Sequence, residues 1–548
     1  MQEQLSISGN IIAYDIDTKE KSIEGILRSR FENEADIETS LDDLLDPYLL
    51  AGMSEAVARI KKAHTSQERV IVFGDYDVDG VTSTSLLMHF FKKIGVNASY
   101  RLPHRAKDGY GLKNYFIDEL ASLGVSLIIT VDCGTRDGAV VQYAKEKGIE
   151  VIITDHHTVP EDNLLESVCL INPKRQDCPY PFKDLAGVGV CFKLIMALAR
   201  DFLSEAEYKK YIQESIDIVA IGTVADCMVL TGENRIIVQE GLKQIKNSRS
   251  RGIKKMIEEK IHEDLDADIF SFLIGPKLNS AGRMADPYKA VSLILNQEES
   301  VHTTLQELEN LNDKRRKLTY KFFDEAMLQI NQDDNILLYH SPEIEHGIIG
   351  IVAGKLTERF YKPSIVLIEE GDKLVASCRS PEYFNISEIL EENKHFFEAF
   401  GGHKQAAGFT IKKEKFEEFK HIILQKVNNQ DFSLYKKKII VDKLISPSEI
   451  SFKLIKEMTR YKPFGIGNTK PIFMIQNLDY SAIEYLGSGV DHIKINHKDG
   501  YKICGFGFGH CRDILRQSSK ISIIFDLLED NFNGKKGIML KVLDIIIE

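Results

Sequence analysis

Three runs of valine and isoleucine, each followed by aspartate, constrain this chain most. VIVF (70–73) leads into GDYDVDG, SLIITV (126–131) into Asp132, and VIIT (151–154) into Asp155. Helical stretches lie between them: TSTSLLMHFFKKIG after the first run and AVVQYAKEKG (139–148) before the third. Strands that are apolar throughout are buried on both faces, and the intervening helices cover them, so the pattern predicts a parallel sheet in an α/β layer. Ligands of such sheets bind at the carboxyl ends of the strands. The acids stand there.

The rest of the chain repeats part of this theme. Residues 298–330 are charged and helical and predict a long helix joining two lobes. A second α/β pattern follows: strands at NILLYH (335–340), PSIVLIEE (363–370) and KLVASCRS (373–380), and a loop and helix at HGIIGIVAGKLTERF (346–360). GGHKQAAGFTI (401–411) reads as a glycine-rich turn entering a strand. After about residue 435, short strands alternate with turns, a pattern compatible with a small β-barrel. At roughly 100–200 residues per domain, 548 residues make three or four domains. The expected boundaries are 1–65, an acidic N-terminal cap; 66–285, the first α/β lobe; 286–334, the connecting helix; 335–432, the second lobe; and 433–548, the β module.

Composition excludes several classes. With 43% hydrophobic and 28% charged residues the chain is globular. A formal charge of −12 argues against a protein that coats nucleic acid non-specifically. The eight cysteines form no CxxC pair, which leaves no zinc-finger, thioredoxin or disulfide pattern, and reduced cytosolic thiols are expected. No apolar run approaches the roughly 18–20 residues that span a bilayer, and MQEQLSISGNIIAYD lacks the regions of a signal peptide. A cytoplasmic protein without a membrane partner is expected. Charge is uneven. Residues 1–60 hold 5 Lys and Arg against 13 Asp and Glu, whereas residues 401–470 hold 15 against 7. The basic stretch is a candidate anion-binding face, or the solvated side of a Lys-rich helix at 411–426.

Asp75, Asp77 and Asp79 alternate along Asp-Tyr-Asp-Val-Asp-Gly, and three carboxylates so placed need cations or protons to stay together. A calcium loop of this form needs a preceding helix and a Glu at its twelfth position, where this chain has Leu86. Capping of a helix starting near Thr82, by Asp79 or a nearby Thr, explains one acid and not three. Asp132, Asp155-His156-His157 and Asp226, in DIVAIGTVADCMVL (217–230), complete a set aimed at one edge of one sheet. Carboxylates with one or two imidazoles suit Mn²⁺ or Mg²⁺, and the imidazole favours Mn²⁺. Two cations sharing a bridging carboxylate suit a displacement at phosphorus. A second, cationic set comprises His104 and Arg105, Arg283, Arg379 and His403, several beside glycine-rich turns that suit phosphate.

VIVFGDYDVDGVTSTSLL, ITVDCGT, ITDHHTVP and DIVAIGTVADCMVL resemble, in order, the four motifs of the DHH phosphoesterase superfamily. LLDPYLLAGMSEAVARI, PHRAKDGYGL, AGVGVCFKL, GPKLNSAGRM, HGIIGIVAGKLTERF and GGHKQAAGFTI narrow the likeness to the bacterial RecJ family of single-strand-specific 5′→3′ DNA exonucleases. PFGIGNTKPIF (463–473) and DNFNGKKGIMLKVLDI resemble that family's C-terminal OB-fold, a β-barrel. The likeness runs from about residue 40 to the end. It implies a DHH domain and a DHH-associated domain joined by the long helix. It also implies two metals held by Asp77, Asp79, Asp132, His156 and Asp226, with Asp132 bridging and Asp75 beside them. Asp155 would orient His156, and His157 would contact the scissile phosphate or the attacking water. Arg105, Ser377 and Arg379 resemble a pocket for the 5′-terminal phosphate, with His403 facing the site across a cleft. Phe452, Tyr461, Phe464 and Phe473 are candidates for stacking on bases. Phe532 and Thr469 depart from the family pattern in the C-terminal module, away from the metal set.

The implied activity is two-metal hydrolysis of single-stranded DNA to 5′-mononucleotides, in DNA repair and recombination. A monomer is expected, with a single-strand-binding protein and a helicase as possible partners. Two other readings compete. A phosphodiesterase of short oligoribonucleotides or cyclic dinucleotides would usually stop after the second lobe, and this chain continues. A non-catalytic DNA-binding scaffold would have lost metal ligands, and all are present here.

Overall fold

The computed structural model describes residues 1–160, 169–432, 434–486, 491–497, 501–518, 520–532 and 535–547. The chain divides into two compact units. One holds residues 39–428 together with 465–467; the other holds 1–38, 429–464 and 468–548.

The larger unit is built on a five-stranded sheet, parallel throughout: Ala98–Arg101, Val70–Gly74, Leu127–Val131, Glu150–Thr154 and Cys169–Ile171. The first strand in sequence, Val70–Gly74, therefore has the second on one side and the third on the other. Crossovers leave these neighbouring strands in opposite directions, which opens a crevice beyond the ends of Val70–Gly74 and Leu127–Val131. Their apolar runs reflect two buried faces. Val70, Val72, Leu127 and Ile129 pack with helices Met53–Thr65, Val78–Ile94 and Gly187–Phe202. Ile71, Phe73 and Ile128 pack with Asn114–Ser122 and Gly138–Glu146.

The long helix spans Val301–Gln329. It agrees with the helix read at 298–330, and within the expected connecting region 286–334 Tyr288–Leu295 is a separate helix. Val301, Leu305 and Leu308 belong to the first core, and Phe322 and Ala326 to the core of the second lobe. The second lobe carries a mixed five-stranded sheet, in the order Phe397–His403, Ala406–Lys412, Lys373–Arg379, Ser364–Glu370 and Leu337–His340. GGH is the end of a strand here rather than part of a turn, and Phe397–His403 and Ala406–Lys412 form a hairpin.

The smaller unit contains, among the described residues, a seven-stranded sheet dominated by the antiparallel pair Ile521–Phe532 and Lys535–Ile547. The expected 1–65 region is divided between the units at residue 38. Ile11–Tyr14 pairs antiparallel with Gln2–Leu5 and parallel with Lys438–Ile440. Asp544, fully buried, accepts from Ser6 Oγ and Asn10 Nδ2, both at 2.7 Å. Much of the basic stretch is neutralised. Arg460 pairs with Glu38 at 3.0 Å, Glu24 at 3.4 Å and Glu34, and Lys438 pairs with Glu3 at 2.6 Å. These contacts withdraw Arg460 and Lys438 from the anion-binding face expected there.

Three stacking candidates are core residues: Tyr461 is 1% exposed, Phe464 4% and Phe473 0%. Phe464 is therefore not a base platform, and of the four only Phe452, 47% exposed, presents a ring to solvent. The side chain of Phe532 lies outside the described residues.

Candidate active site

The acids converge because each stands at, or within one turn of, the end of an element packed in the core. Asp77 is the N-cap of helix Val78–Ile94: its Oδ1 accepts from Asp79 N–H at 2.9 Å and Gly80 N–H at 3.1 Å. The cap is Asp77, not Asp79 or a threonine, and the helix starts before Thr82. Asp79, 1% exposed, accepts from the backbone N–H groups of Gly187 at 2.7 Å and Val188 at 2.8 Å. Those groups open helix Gly187–Phe202, whose N-terminus favours negative charge. A Cβ on Gly187 would lie 2.5 Å from Asp132 Oδ1, so glycine lets this helix reach the acids. Asp132 follows its strand at φ +62°, a left-handed backbone rare for a residue with a Cβ.

Asp226, expected only to follow an apolar stretch, is the C-cap of the 21-residue helix Glu205–Ala225. A carboxylate at the negative end of a helix is disfavoured, so a cation there offsets both charges.

His156 Nε2 lies 3.3 Å from Asp132 Oδ1, 3.5 Å from Asp226 Oδ2 and 3.9 Å from Asp79 Oδ2. Asp79, His156 and Asp226 each place a ligand atom within 4.8 Å of one another, as do Asp75, Asp77 and Asp132. The two groups adjoin through the Asp132–His156 contact. Asp75 Oδ1, Asp132 Oδ1, Asp226 Oδ2 and both ring nitrogens of His156 are buried without a hydrogen-bond partner. Burial first, and then neighbouring carboxylates, push Asp79 up to about 7 and Asp226 up to about 9 and raise Asp75 and Asp132. Burial lowers His156 to about 3, leaving a neutral imidazole. Protons or divalent cations must balance such a cluster. Unpartnered hard oxygen donors with one neutral imidazole fit Mn²⁺ or Mg²⁺.

A wall of hydrogen bonds stands behind this set. Burial alone would raise Asp155, but the His157 ring, 2.7 Å away, holds it low, and Thr135 N–H donates to it at 2.9 Å. Asp155 in turn raises His157 against the effect of burial. Tyr110 Oη donates to the Asp132 carbonyl and also lies 3.2 Å from His157 Nδ1, and Asn172 Nδ2 donates to the His157 carbonyl at 2.9 Å. Tyr110 and Asn172 escaped the sequence reading. Only the position of Tyr110 within DGYGL offered a signal.

The cationic residues gather at the start of helix Ile349–Phe360. Arg283 Nη1 donates to the Gly347 carbonyl at 3.0 Å. A Cβ on Gly350 would lie 3.1 Å from both Arg379 Nη2 and Ser377 Oγ. Burial, then the charges of Arg105 and Arg315, lower Arg283 to about 9. Arg105 stacks over the Tyr76 ring at 4.1 Å. Several cations beside a helix N-terminus make a site for a dianionic phosphate. Arg315 was not anticipated, because its long helix read only as a charged connector. His104 closes a turn, its N–H donating to Asp108 at 2.6 Å. His403 is exposed, and burial followed by the charges of Arg136, His157 and Lys174 lowers it.

Comparison with known proteins follows the same division. Family models match the DHH family N-terminal domain over residues 69–223, the DHHA1 domain over 333–429 and the RecJ OB domain over 441–544. The single-stranded-DNA-specific exonuclease RecJ of Bacillus subtilis is 34% identical over 92% of this chain, which spans 64% of that relative's length. The Salmonella typhimurium protein of the same name is also 34% identical, over 80% of each chain. The crystal structure of RecJ in complex with Mn²⁺ from Thermus thermophilus superposes with a TM-score of 0.82 at 26% identity. The match covers 96% of this chain and 76% of that one. On the order of its motifs, the convergence of its acids and these relatives, the chain belongs to the RecJ family of single-stranded-DNA-specific exonucleases within the DHH phosphoesterases.

Proposed function

We propose that this protein is a metal-dependent exonuclease that removes 5′-mononucleotides from single-stranded DNA in the 5′→3′ direction. The observation that carries the reading is the pair of adjoining sites: unpartnered buried carboxylates around His156, and a triad of arginines at the start of helix Ile349–Phe360. Asp77, Asp79, Asp132, His156 and Asp226 would hold two divalent cations, Mn²⁺ in preference to Mg²⁺ because of the imidazole. When bound, such cations supply Lewis-acid activation of water and stabilise both oxygens of the displacement.

The chain's own residues do the rest. Asp155 holds the His157 ring through Nδ1, leaving Nε2 to face the scissile phosphate. Arg105, Arg283, Ser377 and Arg379 clamp the terminal 5′ phosphate, which sets the direction of cleavage. His403 faces the site across the cleft of the larger unit, and Phe452 is a candidate for stacking on a base. The domain boundaries at about 66, 286, 335 and 433 belong to this proposal. So do a monomeric, cytoplasmic enzyme and its partnership with a single-strand-binding protein and a helicase. Among the described residues, no helix is long and apolar enough to cross a membrane.

The test uses a single strand carrying a 5′ phosphate and a 3′ label, beside the same strand as a blunt duplex, with Mn²⁺, Mg²⁺ or EDTA. Metal-dependent shortening of the labelled strand through a ladder, with the duplex intact, is expected. Faster cleavage of dinucleotides than of the long strand would replace this reading with a small-nucleotide phosphodiesterase.

A further inference from the structure

The sequence Pro463-Phe-Gly-Ile-Gly-Asn468 was assigned above only to the C-terminal module. Yet Gly465, Ile466 and Gly467 belong to the larger unit, while the chain on both sides of them belongs to the smaller one. The base of this tongue is stapled: the buried Asn468 Nδ2 donates to the carbonyls of Tyr461 at 2.8 Å and Pro463 at 2.9 Å. Its tip meets the loop that follows Asp226. The Leu230 N–H donates to the Ile466 carbonyl at 2.6 Å. A Cβ on Gly465 would lie 2.6 Å from Leu230 Cδ1 and 3.2 Å from its Cγ, and Leu230 is 2% exposed. Gly467, at φ +83°, would bring a Cβ 3.3 Å from Thr231 Cγ2 and 3.5 Å from Val229 Cβ. Two glycines thus let backbone lie against backbone where side chains would not fit.

The same loop is held from its other side. Asn234 Nδ2 donates to the carbonyls of Val229 at 3.0 Å and Asp184 at 2.6 Å, and Asp184 lies three residues before Gly187, a backbone donor to Asp79. The Asp226 loop starts at a helix C-cap and turns through Cys227 at φ +57°, and its first residues stay tied to that helix: Cys227 N–H donates to the Val224 carbonyl at 3.1 Å and Met228 N–H to the Thr223 carbonyl at 3.2 Å. Beyond Met228 the local helix bonds stop, and the Leu230 N–H takes its partner from the distant Ile466.

We propose that Gly465–Gly467 is a positioning element for the metal site, a brace that holds the Asp226 loop in ligating geometry. The inference rests on Asp226 being a metal ligand, as proposed above. Supports behind metal ligands alter affinity by about 10–100-fold when removed.

The test measures Mn²⁺ binding to the full-length, DNA-free protein by electron paramagnetic resonance. Gly465→Val, which drives methyl groups into Leu230, is expected to weaken Mn²⁺ binding about tenfold. Single-strand affinity in EDTA should change less than about twofold, because the module's own fold is intact. Adding Leu230→Ala makes room for the valine and should restore most of the Mn²⁺ affinity, an outcome that general unfolding would not produce. Unchanged Mn²⁺ binding in Gly465→Val, with binding lost in Asp226→Ala, would overturn the brace and spare the ligand assignment. Unchanged Mn²⁺ binding in Asp226→Ala would overturn the ligand assignment, and the brace with it.

Discussion

Two groups of acids in this protein carry similar charge and meet opposite fates. In the smaller unit, Glu3, Glu24, Glu34 and Glu38 each pair with Lys438 or Arg460. At the sheet edge of the larger unit, Asp75, Asp132 and Asp226 each have a buried oxygen with no partner. Exposed pairs contribute little each and tie chain segments together. Buried, unpaired carboxylates destabilise a fold unless a cation joins them. The difference teaches where to look for chemistry: at charge the fold buries and leaves unanswered, not at charge that is merely abundant.

The largest expected effect tests the unanswered acids. Asp132→Asn should lower metal-dependent shortening of a 3′-labelled strand by at least about a thousandfold, the scale expected when a metal site is lost. Near-parental rates would show that the cluster is structural. Next comes an answered acid buried in the same unit. Glu233 pairs with the fully buried Lys193 and accepts from Tyr180 and from Leu45 N–H. Urea unfolding of Lys193→Ala should show a loss of about 3–5 kcal/mol, because Glu233 is left buried and unpaired. A loss below 1 kcal/mol would count against burial as the deciding factor.

Two phenylalanines sharpen the contrast within the smaller unit. Phe452→Ala should weaken single-strand binding by about 1–3 kcal/mol in fluorescence anisotropy if its exposed ring stacks on a base. Phe464→Ala should instead lower stability, since its ring is core; the reverse assignment would return Phe464 to the DNA interface. A smaller effect concerns repulsion. In EDTA, Asp132→Asn should be more stable than the parent by roughly 1 kcal/mol, and Mn²⁺ should stabilise only the parent. Equal stability in both conditions would mean the acids do not repel. The smallest effect belongs to Arg460→Ala. It should speed hydrogen exchange in residues 23–38 and leave the hydrolysis rate at saturating DNA unchanged. A slowed rate would tie the N-terminal acids to the chemistry.

Legibility followed the same division. Asp75, Asp77, Asp79, Asp132 and Asp155 were readable because each stands next to a Val/Ile strand, and in a parallel sheet strand ends are neighbours. The arginines at the start of Ile349–Phe360 were found one at a time, by their glycine-rich surroundings. That they share one helix N-terminus with Gly350 was not visible, since their elements are far apart in the chain. Phe464 was misread because an aromatic beside glycines looks the same in sequence whether it faces solvent or core. The basic stretch kept two readings because some of its counter-charges lie more than 400 residues away, as for Arg460 with Glu24 and Lys438 with Glu3.

The sequence by itself determined the parallel sheet, the edge where the acids meet, the two lobes and the family. These follow from local periodicity and from residues adjacent to it. Tertiary structure alone decided that Asp226 arrives from a helix end, that residues 1–38 fold with the C-terminal module, and that Gly465–Gly467 reaches the Asp226 loop. The reason is physical. Periodicity reports which face of an element is buried, but not what buries it, and contacts between distant segments leave no periodic trace in either one.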